Sequence, residues 1–142
     1  MSATASYSEK LNLIFEEITG DASGEDIFEN KAASVRRGWV NARTRVLAIV
    51  EANLLLDTQG MKRFSERLMK ELPEYNGTRV AIVTRGVGAT AGSQKVASDV
   101  SATQSVAVFS TLNNAVFFLR LDLKELLEEL PAVGNWTGKY LE

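Results

Sequence analysis

The sequence predicts one α/β domain, a mainly parallel sheet of four to five strands alternating with helices in the order β-α-β-α-β-α-β-α. Three observations predict it. Val46–Val50 is continuously apolar, the pattern of a strand covered on both faces. Met61, Phe64, Leu68 and Leu72 recur at helical spacing. Between such stretches stand caps, glycines and prolines, so each element has a local reason to begin or stop. Strands that alternate with crossover helices form a parallel sheet with helices packed on it.

In chain order, Leu11–Ile18 reads as the first strand, ended by Thr19-Gly20-Asp21, with antiparallel edge pairing near Tyr7. Ser23 begins a helix, with Asp26 placed for a capping box and Glu25 also in the first turn. Ile27, Phe28, Ala32 and Val35 form its inner face; Arg36 and Arg37 suit its C-terminus, and Gly38 ends it. Arg45–Glu51 is the second strand. After an apolar loop, Ala52–Leu56, either Asp57 or Thr58 can cap the second helix, which runs to Pro73. Asn76-Gly77 turns the chain into a third strand, Arg79–Thr84. Gly86-Val87-Gly88 opens a small-residue helix over about Ala89–Ser101, with Val96, Ala97 and Val100 inward. Ser105–Phe109 is the fourth strand, and Ser110 or Thr111 caps a last helical region reaching Leu130 with a break near Asp122. Residues 131–142 read as a tail after a core of about 9–130.

At 142 residues the chain matches a single domain, and it shows no repeat, low-complexity tract or linker. Hydrophobic residues make up 45% and charged residues 24%, the balance of a globular chain rather than a disordered one. The net charge of −2, with Arg36–Arg37 and Lys62–Arg63 as the adjacent basic pairs, gives no concentrated basic face for nucleic acid. Cys and His are both absent. That removes disulfides, thiolate metal sites, thiol nucleophiles and Ser-His-Asp triads, and it moves the expectation from catalysis towards binding, with no cofactor and no metal. Met1–Ser8 lacks the basic and apolar parts of a signal peptide, and no apolar run approaches a membrane span. A cytoplasmic location and no stable membrane insertion are expected.

Three constellations carry chemistry. Gly86-x-Gly88-x-x-x-Gly92 lies between a strand and a helix, where backbone N–H groups can meet an anion; the spacing is not that of a dinucleotide fingerprint, and a tight turn needing positive φ is the plainer reading. Glu16, Glu17, Glu51 and Asp57 lie near strand ends, where magnesium is conceivable and solvated carboxylates or caps are the plainer reading. The third is Leu54-Leu55-Leu56-Asp57-Thr58-Gln59-Gly60-Met61.

That last stretch resembles the Asp-Ser-Ser-Gly-Leu segment of STAS domains, the anti-sigma-factor antagonist family, which likewise follows a central strand and opens a helix. The likeness spans roughly Leu11 to Leu121, and the whole layout is also similar to a divergent STAS-like branch related to the Sec14 fold. The resemblance implies a non-enzymatic regulatory module with a kinase or anti-sigma partner. Thr58 is then the phosphoacceptor, and Asp57, Gln59, Gly60 and Met61 are partner contacts. Gln59 departs from the small residue of the family segment. The alternatives are a small-molecule or lipid carrier with an apolar pocket under Leu54–Leu56 or the last helix, and a small carboxylate-dependent enzyme using the Gly86–Gly88 turn. Finally, Ala115, Val116, Phe117, Phe118, Leu119, Leu121, Leu123, Leu126, Leu127 and Leu130 make an apolar arc wider than one packing face needs. A twofold dimer through this region is expected, or else a tail carrying Trp136 and Tyr140 that folds back to cover it.

Overall fold

Five strands lie side by side in chain order: β1 (Ala3–Ser8), β2 (Leu13–Ala22), β3 (Arg45–Leu54), β4 (Arg79–Thr84) and β5 (Ser105–Phe109). A computed structural model describes residues 3–142. β2 to β5 run parallel, and β1 pairs antiparallel with β2, Tyr7 opposite Ile14. The edge pairing expected near Tyr7 is therefore present. The segment Ala3–Ser8, which lies outside the expected core of about 9–130, is its strand.

The helices α1 (Gly24–Arg36), α2 (Thr58–Glu71) and α3 (Val87–Asp99) each link one parallel strand to the next. Such crossovers are right-handed, and here every one steps in the same direction across the sheet, so all three helices fall on one face. Ile14, Ile18, Val46, Val50 and Val80 meet Ile27, Phe28, Phe64 and Leu68 there. The opposite face is covered by α4 (Leu112–Phe118), α5 (Leu123–Glu129) and α6 (Gly134–Tyr140), where Leu13, Phe15, Leu47 and Ile49 meet Leu112, Leu119, Leu126 and Tyr140. Strand alternation assigns each residue to its layer. Apolar strands buried on both faces are what the run Val46–Val50 required.

Several boundaries differ from the sequence reading. β2 continues through Thr19-Gly20-Asp21 to Ala22, with Gly20 at φ +67°, because β3 pairs alongside it as far as Ala22 opposite Leu54. β3 accordingly absorbs Ala52–Leu54. α3 starts two residues early, at Val87, capped by Gly86 at φ +97°. The break expected near Asp122 is present: Arg120 stands at φ +57°, and Asp122 occupies the N-cap position of α5 without a side-chain hydrogen bond to the helix.

Arginines clamp the back layer at both ends of the sheet. At the start of neighbouring strands, Arg45 donates to the carbonyls of Leu11, Leu119 and Arg120, and Arg79 donates to that of Phe118 at 2.7 Å. Cations at a helix C-terminus meet its partial negative charge. After β4, Arg85 donates to the main-chain oxygens of Ser110, Lys139 and Glu142. Residues 131–142 are therefore not a free tail. They form a 3₁₀ turn, Pro131–Val133, and α6, which cover the apolar arc. Phe117, 85% exposed, is what that arc leaves in solvent. The folded-back arrangement, rather than an uncovered face, is what the chain adopts.

Candidate functional site

Parallel strands bring their C-terminal ends to one edge, where the connections to following helices form a crevice. At that edge β3 ends in Leu54, and Leu55–Asp57 leads into α2. Asp57 is the N-cap: its Oδ1 accepts from the Gly60 N–H at 2.7 Å. Thr58 is the first residue of the helix and is exposed, as is Gln59. Leu56 wedges between two glycines. A Cβ on Gly24 would stand 3.0 Å from its Cδ2, and one on Gly60 3.1 Å away. Gly60, expected to receive a partner's backbone, is buried and makes room for this chain's own leucine. Met61 is half-buried, while Leu55 is 56% exposed.

The next crossover supplies the neighbouring wall. Gly86 takes the positive φ the turn requires, and Gly88 and the exposed Val87 stand at the start of α3. Between the first turns of α2 and α3 lies a groove of about 370 Å³, lined in part by Thr58, Met61, Gly88, Gly92 and Lys95. Lys95 is paired with Asp99 at 2.7 Å.

Beneath Leu54 and Leu56, between the sheet and α1–α3, is a cavity of about 70 Å³. The groove and the cavity share Leu54, Leu56, Met61 and Gly92 as their common wall. α3 comes closest there, since a Cβ on Gly92 would lie 2.9 Å from Met61 Cε. The cavity lining is apolar except for Glu16, Lys31, Ser93 and Gln104. Glu16 is 1% exposed and receives both of its hydrogen bonds from Lys31 Nζ, at 3.1 and 3.3 Å. Lys31 also lies 5.0 Å from the Tyr75 ring centre, and its carbonyl accepts from the Tyr75 hydroxyl at 3.0 Å. Burial and, next, the Glu16 charge push the Tyr75 hydroxyl's pKa far up. Sequence reasoning missed this pair. A signal was there: Glu16 shares its strand face with Ile14 and Ile18, which face α1.

The acidic set does not converge. Glu16 and Glu17 leave β2 on opposite faces. Glu17 accepts from the Trp136 indole N–H at 2.8 Å. Glu51 accepts from the Tyr140 hydroxyl at 2.9 Å and pairs with Lys139 at 2.8 Å. Lys139, and to a lesser degree Tyr140, hold the Glu51 carboxyl below its ordinary pKa. Burial, with the Glu51 contact behind it, pushes Tyr140 up to about 12. Asp57 is occupied as a cap. Among the described residues no group of three or more acidic side chains is placed to hold a metal, and no helix is long and apolar enough to cross a membrane.

The fold is similar to that in the crystal structure of an uncharacterized protein of the DUF3478 family from Shewanella loihica PV-4, described as having a SpoIIAA-like fold. The TM-score is 0.54 at 15% identity, with 82% of this chain and 91% of that one covered. No protein-family model and no curated protein matches the sequence. The chain thus has a SpoIIAA-like, that is STAS-like, α/β fold, in which the β3–α2 junction holds Asp57 and Thr58.

Proposed function

We propose that the protein is a non-enzymatic regulatory module of STAS type, in which a protein partner docks at the start of α2 and phosphorylation of Thr58 releases it. The observation that carries this reading is the exposed position of Thr58 as the first residue of a 14-residue helix. A phosphate there is favoured by the helix dipole and by the first-turn N–H groups that Asp57 does not take, while its bulk and charge disrupt whatever rests on Leu55, Gln59 and Met61. Asp57 opposes it by like charge, which sets a ceiling on the gain. Mass spectrometry of the protein isolated from its own cells tests the proposal. Phosphate on Thr58, absent in Thr58→Ala, is the expected result; Thr58 unmodified in every growth phase overturns it.

The cavity favours a second reading, an apolar-ligand carrier, because it lies under Leu54–Leu56 and is walled almost entirely by aliphatic groups. Apolar material retained by the protein in a native mass spectrum is the result that supports it. A homodimer through the C-terminal region has Phe117 as its exposed anchor, and light scattering at micromolar concentration decides it.

A further inference from the structure

β5 closes one side of the sheet and is hydrogen-bonded to β4 alone. The Ser105 N–H donates to the Thr78 carbonyl at 3.0 Å, which sets the alternation along the strand. Ser105, Ala107 and Phe109 turn their main-chain groups towards β4, and Val106 and Val108 turn theirs outward. No hydrogen bond among the described residues reaches those outward groups. The strand also lacks what blunts an exposed edge: Ser105-Val106-Ala107-Val108-Phe109 carries no charge and no proline, and Val106 to Phe109 are half-buried. The opposite edge is covered. There Asn30 Nδ2 donates to the Thr4 carbonyl of β1 at 3.4 Å, and Tyr7 stacks on Trp39 with ring centres 5.3 Å apart. Beside the outer end of β5 lies a groove of about 600 Å³ between Val108, Phe109 and the start of α3, where Val87 is 91% exposed.

We propose that a second copy of this chain docks on β5, adding its own β5 antiparallel across a twofold axis at Ala107 and joining the two five-stranded sheets into one. An extended main chain is what satisfies alternating N–H and C=O groups along an edge, and in this register the strand complements itself. Val106 stands opposite the copy's Val108, and Val108 opposite its Val106. All are outward residues, so each pair exchanges two hydrogen bonds and no outward group of Val106 or Val108 is left over on either copy. The paired valines also pack across the strands, and an uncharged strand meets no like-charge repulsion from its copy. Twofold symmetry makes every flanking contact twice: the antiparallel register brings the turn before the copy's β5 towards the groove beside Val87, and the reverse. The inference is independent of the Thr58 reading, and it places the twofold contact away from Phe117, a single exposed side chain on a layer that α6 already covers.

Amide hydrogen exchange of the full chain gives the test, because it reads each N–H separately. Raising the concentration from about 5 to about 500 μM should slow the Val106 and Val108 amides about threefold or more, with about tenfold the ceiling that mass action sets. The amides of Ala107 and Phe109, bonded to β4 at any concentration, should not change. The chain has no cysteine, so Ala107→Cys and Phe117→Cys each introduce a single thiol. In the proposed register the two Ala107 Cα atoms stand about 4.5 Å apart, within the span of a disulfide. Ala107→Cys is therefore expected to cross-link on mild oxidation, and Phe117→Cys is not. Val106 and Val108 amides that exchange equally fast at both concentrations, in a protein that sedimentation shows to be dimeric, overturn the β5 contact and leave the C-terminal homodimer standing. Cross-linking of Phe117→Cys alone has the same meaning. A monomer at about 500 μM overturns both. Exchange in the wild type decides the matter by itself, so a variant that fails to fold does not rescue the proposal.

Discussion

Glu16 and Glu17, adjacent in β2, anchor opposite layers of the molecule: Glu16 holds Lys31 beneath α1, and Glu17 receives the Trp136 indole from α6. One carboxylate is sealed inside a wall of aliphatic groups and the other stands at a rim. The same side chain therefore carries different energetic weight at neighbouring positions.

Lys31→Met leaves the Glu16 carboxylate buried and unpaired, and should cost about 3–5 kcal/mol, whereas replacing both partners with apolar residues should be nearly neutral. Urea unfolding of Lys31→Met and of Glu16→Leu/Lys31→Met makes the comparison. A single variant as stable as the wild type contradicts the burial of this pair.

Asp57→Ala removes the cap of α2 and should cost about 1 kcal/mol, while Asp57→Ser, an equally good cap, should cost almost nothing. If Asp57 also contacts a partner, the serine variant keeps its stability and loses binding. Equal stability of the alanine and serine variants would mean that the cap contributes nothing.

The docking of α6 should weaken at both ends of the pH scale. The folded pKa of Glu51 lies below its ordinary value of 4.5, so its contribution is present above that pH and disappears as pH falls through the lowered folded value. Tyr140 is shifted from 10.0 up to about 12. Its contribution is complete below pH 10 and is lost as pH rises through 12. Trp136 fluorescence in a Trp39→Phe background reports both limbs, and Glu51→Gln should flatten the acid one.

Arg85→Met removes three hydrogen bonds to main-chain oxygens and the cation set 5.0 Å from the Tyr140 ring. Because Arg85 is exposed, a loss of about 1 kcal/mol is expected. Protease should then cut within α6 about fivefold faster. An unchanged cleavage rate would show that α6 is held by its apolar face alone.

What the sequence disclosed was whatever is decided locally. The Ser23 and Asp26 capping box is present in both directions, at 3.1 and 3.2 Å, because its partners are three residues apart. The continuously apolar run Val46–Val50 could be placed in a covered strand for the same reason. The end of β3 was not legible, since Ala52–Leu54 is extended by pairing with Gly20–Ala22 rather than by its own propensity. The break near Asp122 was legible, although the left-handed Arg120 that makes it was not singled out. Of the candidate site, Asp57 and Thr58 were legible as a helix start. The cavity under them was not. Its wall is assembled from four strands and three helices, and Glu16 finds Lys31 only once β2 and α1 are stacked.

The one-directional crossovers also set an order of events. As the chain is synthesised, each of α1, α2 and α3 exists before the strand it leads to, so one side of the sheet is roofed while it is being laid. The other side, with Leu13, Phe15, Leu47 and Ile49, waits for residues beyond Leu112. A nascent chain at that stage holds half a finished interior and one bare, greasy sheet, and transiently exposed surface of this kind is where aggregation begins. The vulnerable species is therefore a nascent chain grown as far as β5, and a chaperone that served this protein would recognise the face that the native state hides under α4–α6.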